Sequence, residues 1–217
     1  MAKRIIITPM GGHGTTYLIG RANFCKRPDT IWGESPDITK KPHLDKVRAW
    51  RGRSGGHQLD VNKTIEQNLV DMITSSKYSV LLCGRCSINK KFLTDNSIHA
   101  ICLVRHPANA YVSYLSHQHP EHAARFGGFN KIKAVHFWAR HWNAIVDDFL
   151  SSDNPIVRYE YLEQDLPDID RYWKSVISRW RPNMNSHKEM DLRTEEALCE
   201  AVRKNFYLIY DKWEIWR

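Results

Sequence analysis

Four stretches of the chain are apolar without alternation: Ile5–Thr8, Ser79–Cys83, Ala100–Val104 and Ile156–Tyr159. Runs of this length, bounded by turn residues, predict strands buried on both faces. Thr30–Trp32 is a weaker fifth. Between these runs the apolar spacing changes to three and four. Ile65, Leu69, Met72 and Ile73 share one helical face, and so do Val135, Trp138, Trp142, Ile145 and Phe149. Ala197, Leu198, Ala201, Val202 and Phe206 form a third such face. Strands alternating with helices predict an α/β fold. Its parallel sheet would have about four to five strands, with helices over both faces. Ligands of such sheets bind outside the carboxyl ends of the strands. The stretch from Trp32 to Asn62 breaks the pattern. It is rich in Pro, Gly and charge and predicts a long surface excursion.

Composition narrows the class. The chain has 217 residues, 42% hydrophobic and 26% charged, which suits one globular domain over 1–217. No apolar run approaches the roughly 20 residues of a membrane span. The start "MAKRIIITPMGG" reads as a first strand and turn rather than a signal peptide, so a cytoplasmic setting is expected. The net charge of +8 favours an anionic ligand. The charge is spread along the chain, which argues against a dedicated nucleic-acid surface. Cys83 and Cys86 form a C-x-x-C with no second pair to complete a zinc site.

The candidate chemistry lies just past two of the strands. After Ile5–Thr8 the chain reads "GGHGTTYL". Gly11, Gly12 and Gly14 permit a turn whose N–H groups converge on an anion, and Thr15 and Thr16 add hydroxyls at a helix start. A triphosphate-hydrolysing loop would carry Lys after the last glycine, and here Thr15 follows Gly14. An ordinary ATPase or kinase is therefore disfavoured. A plain strand-to-helix connector fits the same residues. After Ala100–Val104 the chain reads "RHPANAYVS". Arg105 stands at a strand's carboxyl end, Pro107 suits a helix start, and Ser113 follows two helical turns later. Arg105 and Ser113 make a second candidate phosphate site, because the guanidinium fork matches phosphate oxygens. An Arg paired with a carboxylate and a Ser in solvent would give the same sequence.

Together the two stretches resemble the PAPS-dependent sulfotransferases. The first loop of that family reads roughly P-[KR]-S-G-T-T-x-L and the second R-[DN]-P-x-x-x-x-x-S. "IVRYEYLEQDL" is similar to the family's "RYEDL" segment and stands in the same order. The resemblance spans about residues 4–165. It implies a P-loop-like three-layer sandwich. It also implies that PAPS gives up its sulfuryl group to a small-molecule or carbohydrate acceptor, through a hydroxyl or an amine, and leaves as PAP without a required metal. Gly11, Gly12, His13, Gly14, Thr15 and Thr16 would then cradle the 5′-phosphosulfate, and Arg105 and Ser113 the 3′-phosphate. Glu34, in a G-E context like that of the tyrosylprotein and carbohydrate branch, would be the base. Other branches use a His shortly after a Lys, and Arg85 stands where that Lys would be, with no His following. Arg85 or His13 would support the leaving charge. Ser186 and Lys188 would cover the nucleotide, in place of a glycine-rich C-terminal stretch that this chain lacks.

Two departures stand out. Gly12 replaces the family's basic residue and His13 its Ser. His106 replaces an Asp or Asn and is read as structural. "HQHPEH" carries His117, His119 and His122, without carboxylate or Cys spacing that would support a metal, and reads as a substrate-side loop. Trp138 and Trp142 are expected in the core, and Tyr159 and Glu160 are expected to order the loop after their strand. Two rivals remain: a divergent P-loop kinase, and a non-catalytic nucleotide- or anion-binding protein on the same fold.

Overall fold

The computed structural model describes residues 3–9, 11–15, 18–19, 22, 30–33, 47–50, 60, 62–84, 88, 90–151, 154–169, 172–177 and 190–213. All five expected strands form: β1 (Lys3–Thr8), β2 (Thr30–Gly33), β4 (Val80–Gly84), β5 (Ile98–Val104) and β6 (Ile156–Arg158). A sixth, β3 (Val47–Trp50), lies inside the stretch read as a surface excursion. It pairs antiparallel with β2, with Thr30 opposite Trp50 and Gly33 opposite Val47. That corrects the excursion reading. Four residues of "VRAW" among charged and Pro-rich neighbours are too short a signal, and edge strands are often that short.

The sheet order is β3-β2-β4-β1-β5-β6, and every pairing except β2–β3 is parallel. β1 lies near the middle, which explains why its sequence is a continuous apolar run: Ile5, Ile6 and Ile7 are all 0% exposed. Side chains alternate across the sheet. Ile5, Ile7, Leu81, Cys83, Cys102 and Val104 enter one core, and Ile6, Val80, Leu82, Ile101, Leu103 and Val157 enter the other.

The first core is covered by three helices whose stripes were legible: α1 (Ile65–Ser75), α5 (Ile132–Ser151) and α8 (Leu192–Phe206). Trp138 and Trp142 are both 0% exposed there, as expected of core residues. Burying even a smaller apolar side chain such as Leu or Phe is worth roughly 1.5–3 kcal/mol. α1 starts on a capping box: the Thr64 hydroxyl accepts from the Gln67 N–H, and the Gln67 side chain accepts from the Thr64 N–H. The second core is covered by helical residues Leu18, Ile19 and Ala22, by α6 (Leu162–Ile169) and by α7 (Tyr172–Ile177). The result is a three-layer α/β sandwich. Short helices α2 (Lys90–Asp95), α3 (Pro107–Val112) and α4 (Pro120–Ala124) complete the described set. α3 runs on into a π-helical turn, Ser113–Gln118. Among the described residues, no helix is long and apolar enough to cross a membrane.

Candidate active site

β1 and β5 are neighbours whose connections leave in opposite directions. The chain after β1 packs Leu18, Ile19 and Ala22 into the second core, and the chain after β5 sends α3 and α5 into the first. Parallel strands that part in this way open a crevice at their carboxyl ends, where ligands of such sheets bind. The register places Ile7 beside Cys102, so the glycine turn and the Arg105 turn leave the sheet side by side.

Gly12 and Gly14 have φ of +88° and +74°, while His13 between them does not share the positive φ. That alternation is the backbone pattern of an anion-binding nest. Leu18 N–H donates to the Gly14 carbonyl at 3.3 Å and begins the helix. Both glycines are also closely packed. A Cβ on Gly12 would stand 2.5 Å from the Ala110 carbonyl oxygen, and one on Gly14 would enter the Tyr159 ring. The basic residue that the resemblance expects at position 12 therefore cannot be housed there unless α3 moves.

His13 is 0% exposed. Its Nδ1 accepts from the Arg105 backbone N–H at 2.9 Å. An accepting Nδ1 puts the proton on Nε2, which is buried with no hydrogen-bond partner. Burial, helped by the Arg105 charge, lowers its pKa from 6.5 to about 3. The form in which His13 could support charge is therefore the neutral one, as a donor through Nε2–H. Near neutrality it is an uncharged imidazole with one N–H to give, and it is neither acid nor base.

Arg105 is 4% exposed. One Nη1–H donates to the Gly12 carbonyl at 3.0 Å, and the guanidinium lies 4.9 Å from the Tyr159 ring centre. Burial pushes its pKa down, with Tyr159, Glu160 and Tyr210 acting the other way. An Arg keeps its charge under such shifts. Arg105 thus ties the glycine turn to the carboxyl end of β5 and to the Tyr159 ring. Its neighbour His106 caps α3, Nδ1 accepting from Ala108 N–H at 3.3 Å, which is the work an Asp or Asn would do there. Pro107 takes the first helical turn.

The third motif enters the same site. Tyr159, on a 3₁₀ turn after β6, lies under Gly14 and Arg105. Glu160 accepts from His106 N–H through Oε1 and from Tyr210 O–H through Oε2, each at 3.0 Å. Burial raises the Glu160 pKa and, more strongly, that of Tyr210. Phe206, Tyr210 and Trp213 surround the His106 ring at 5.3, 5.8 and 4.7 Å between centroids. Tyr159 and Glu160 were expected to order the loop after their own strand; the contacts they make are instead with the glycine turn and the Arg105 turn. Tyr210 was missed, because no local pattern ties it to a carboxylate 50 residues earlier.

Of the other expected site residues, Gly11 and Thr15 belong to the turn, with Gly11 against the Gln118 side chain. Ser113 is half-buried where α3 passes into the π-helical turn. Such turns are frequent at functional sites. Thr16, Glu34, Arg85, Ser186 and Lys188 lie outside the described residues. The strands that end one residue before Glu34 and before Arg85, β2 and β4, run parallel to β1 and end at the same sheet edge. No family model matches the chain, and no curated protein matches it.

Proposed function

We propose that this chain is a PAPS-dependent sulfotransferase, with a small-molecule or carbohydrate acceptor and a cytoplasmic setting. One observation carries the reading: three motifs far apart in sequence, the glycine turn, the Arg105 turn and the Tyr159–Glu160 turn, interlock at the β1/β5 crevice. The residues present fit an anionic group there. The nest geometry of Gly12 and Gly14, the buried unpartnered Nε2–H of His13 and the Arg105 charge all suit one. PAPS, when bound, supplies the activated sulfuryl group. The chain's own part is positioning and electrostatics. His13 would donate through Nε2, Arg105 would hold the Gly12 carbonyl and present positive charge, and Glu34 would take the acceptor proton. With Gly12 unable to carry a basic side chain, charge beside the sulfuryl oxygens falls to Arg85.

The close packing of Gly12 also favours a second reading, a nucleotide-binding protein without turnover. A thermal-shift titration separates the possibilities. A ligand at about 100 times its Kd adds about 2.7 kcal/mol to the folded state. PAP is expected to stabilise the protein well beyond ADP, and E34Q to keep that response while losing turnover on PAPS. A response to PAP with no turnover on any acceptor would favour the binding protein. A response to ATP–Mg²⁺ alone would overturn the proposal in favour of a P-loop kinase.

A further inference from the structure

The stretch "HQHPEH" shows no carboxylate or Cys spacing of a metal motif, yet it contains Glu121, and the fold brings that carboxylate to two of its histidines. His119 Nδ1 and Glu121 Oε1 are 2.9 Å apart, and His122 Nε2 is 4.0 Å from the same oxygen. One ligand atom from each of the three residues lies within 4.8 Å of the other two. Among the described residues this is the one such cluster of His, Cys, Asp and Glu.

Its setting is built. The π-helical turn closes through His119 N–H to the Tyr114 carbonyl at 2.8 Å, and His122 N–H returns to the His119 carbonyl at 2.9 Å. Both histidines are therefore held by their backbones. Their rings lie nearly parallel, 17° apart with centres at 5.1 Å. The His122 ring also meets Phe137 of α5 edge-on. Tyr114 Oη lies 2.9 Å from His122 Nδ1. If that nitrogen carries the proton, Nε2 is left as a lone-pair donor on the side facing Glu121. A second polar partner that fixes tautomer and ring plane is what metal-binding imidazoles usually have. The three side chains are 38%, 58% and 20% exposed in the order His119, Glu121, His122, so an ion can reach them from solvent.

We propose that His119, Glu121 and His122 bind a divalent first-row transition ion of the Zn²⁺ class. Two imidazole nitrogens and one carboxylate oxygen suit Zn²⁺, with bonds of about 2.0–2.2 Å and ligand atoms about 3.3 Å apart in a tetrahedron. Two of the three present separations, 2.9 and 4.0 Å, bracket that value and the third is within 4.8 Å, so binding requires the side chains to rotate toward a common centre. A fourth position is left to water or a ligand. The ion would pin the end of the π-helical turn to α4. The same turn packs on the glycine turn: Tyr114 N stands 3.2 Å from a Cβ placed on Gly12. The site does not depend on the sulfotransferase reading.

The test is isothermal titration of the metal-stripped full chain with Zn²⁺, repeated with Co²⁺ to read its visible d–d bands. Wild type is expected to bind one ion at micromolar concentration, with the intense Co²⁺ bands of a tetrahedral site. E121Q and H122A are each expected to lose affinity by at least about tenfold, and Y114F by about 10–100-fold, as for removal of an outer-shell partner. Glu121 is exposed, so E121Q keeps the test valid if H122A fails to fold. No saturable Zn²⁺ binding by wild type would overturn the proposal. So would one-site binding that E121Q and H122A leave unchanged, which would put the ion on other histidines or cysteines.

Discussion

His13 and the His119–His122 pair flank the same π-helical turn's packing against the glycine loop, and the fold treats them in opposite ways. His13 is fully buried, with one nitrogen committed to Arg105 N–H and its pKa lowered to about 3. His119 and His122 keep side-chain exposures of 38% and 20% and have a carboxylate beside them. Desolvation turns the first into a neutral hydrogen-bond donor built into the framework. The other two keep contact with solvent and stand beside the Glu121 carboxylate. The same residue type is thus a desolvated, neutral part of the framework in one place and a solvent-facing neighbour of a carboxylate in the other, and burial makes the difference.

The contrast can be broken most forcefully at the buried side. G12A should destabilise the protein by at least about 2 kcal/mol, because φ is +88° and a backbone oxygen stands in the way. G12K, which restores the basic residue of the sulfotransferase pattern, should fare no better and should not raise PAP affinity. Urea unfolding and the PAP titration check both. A stable G12K with tighter PAP binding would mean that the turn opens to admit a side chain.

H13A comes next, at about 1–3 kcal/mol for a buried N–H left without its acceptor, measured by urea unfolding. Its acid behaviour is more telling. A depressed folded-state pKa means that the stability due to neutral His13 is fully present above 6.5 and is lost as pH falls from 6.5 toward about 3. Over that window wild type should lose up to about 1.4 kcal/mol per pH unit from this group, and H13A should lack that slope. Equal slopes would mean that His13 protonates without unfolding the turn. The smallest effect belongs to the exposed side. E121Q should leave the metal-free melting temperature unchanged, since the pair it breaks is solvated. A large drop would make the cluster a structural ion pair instead.

Much of this was legible in the sequence. The strands announced themselves because central parallel strands are apolar on both faces, and the Trp138–Trp142 stripe named its own core. The glycine turn and the Arg105 turn could be paired because each follows a buried strand, and parallel order puts such ends at one edge. β3 was hidden by its brevity. The burial of His13 was hidden because a His among glycines carries no apolar neighbours to betray it. The Glu160–Tyr210 bond and the His106 cage join residues far apart in the chain, which only the packed fold brings together.

The aromatic cage has a consequence for the order in which the molecule comes into being. His106 is held by Phe206, Tyr210 and Trp213, and Glu160 by Tyr210. A ribosome delivers these residues some 200 positions after the glycine turn. The sheet can assemble around β1 while the wall behind the Arg105 turn has yet to be synthesised. Completion of the Arg105 turn would then wait for α8 and the segment after it to dock.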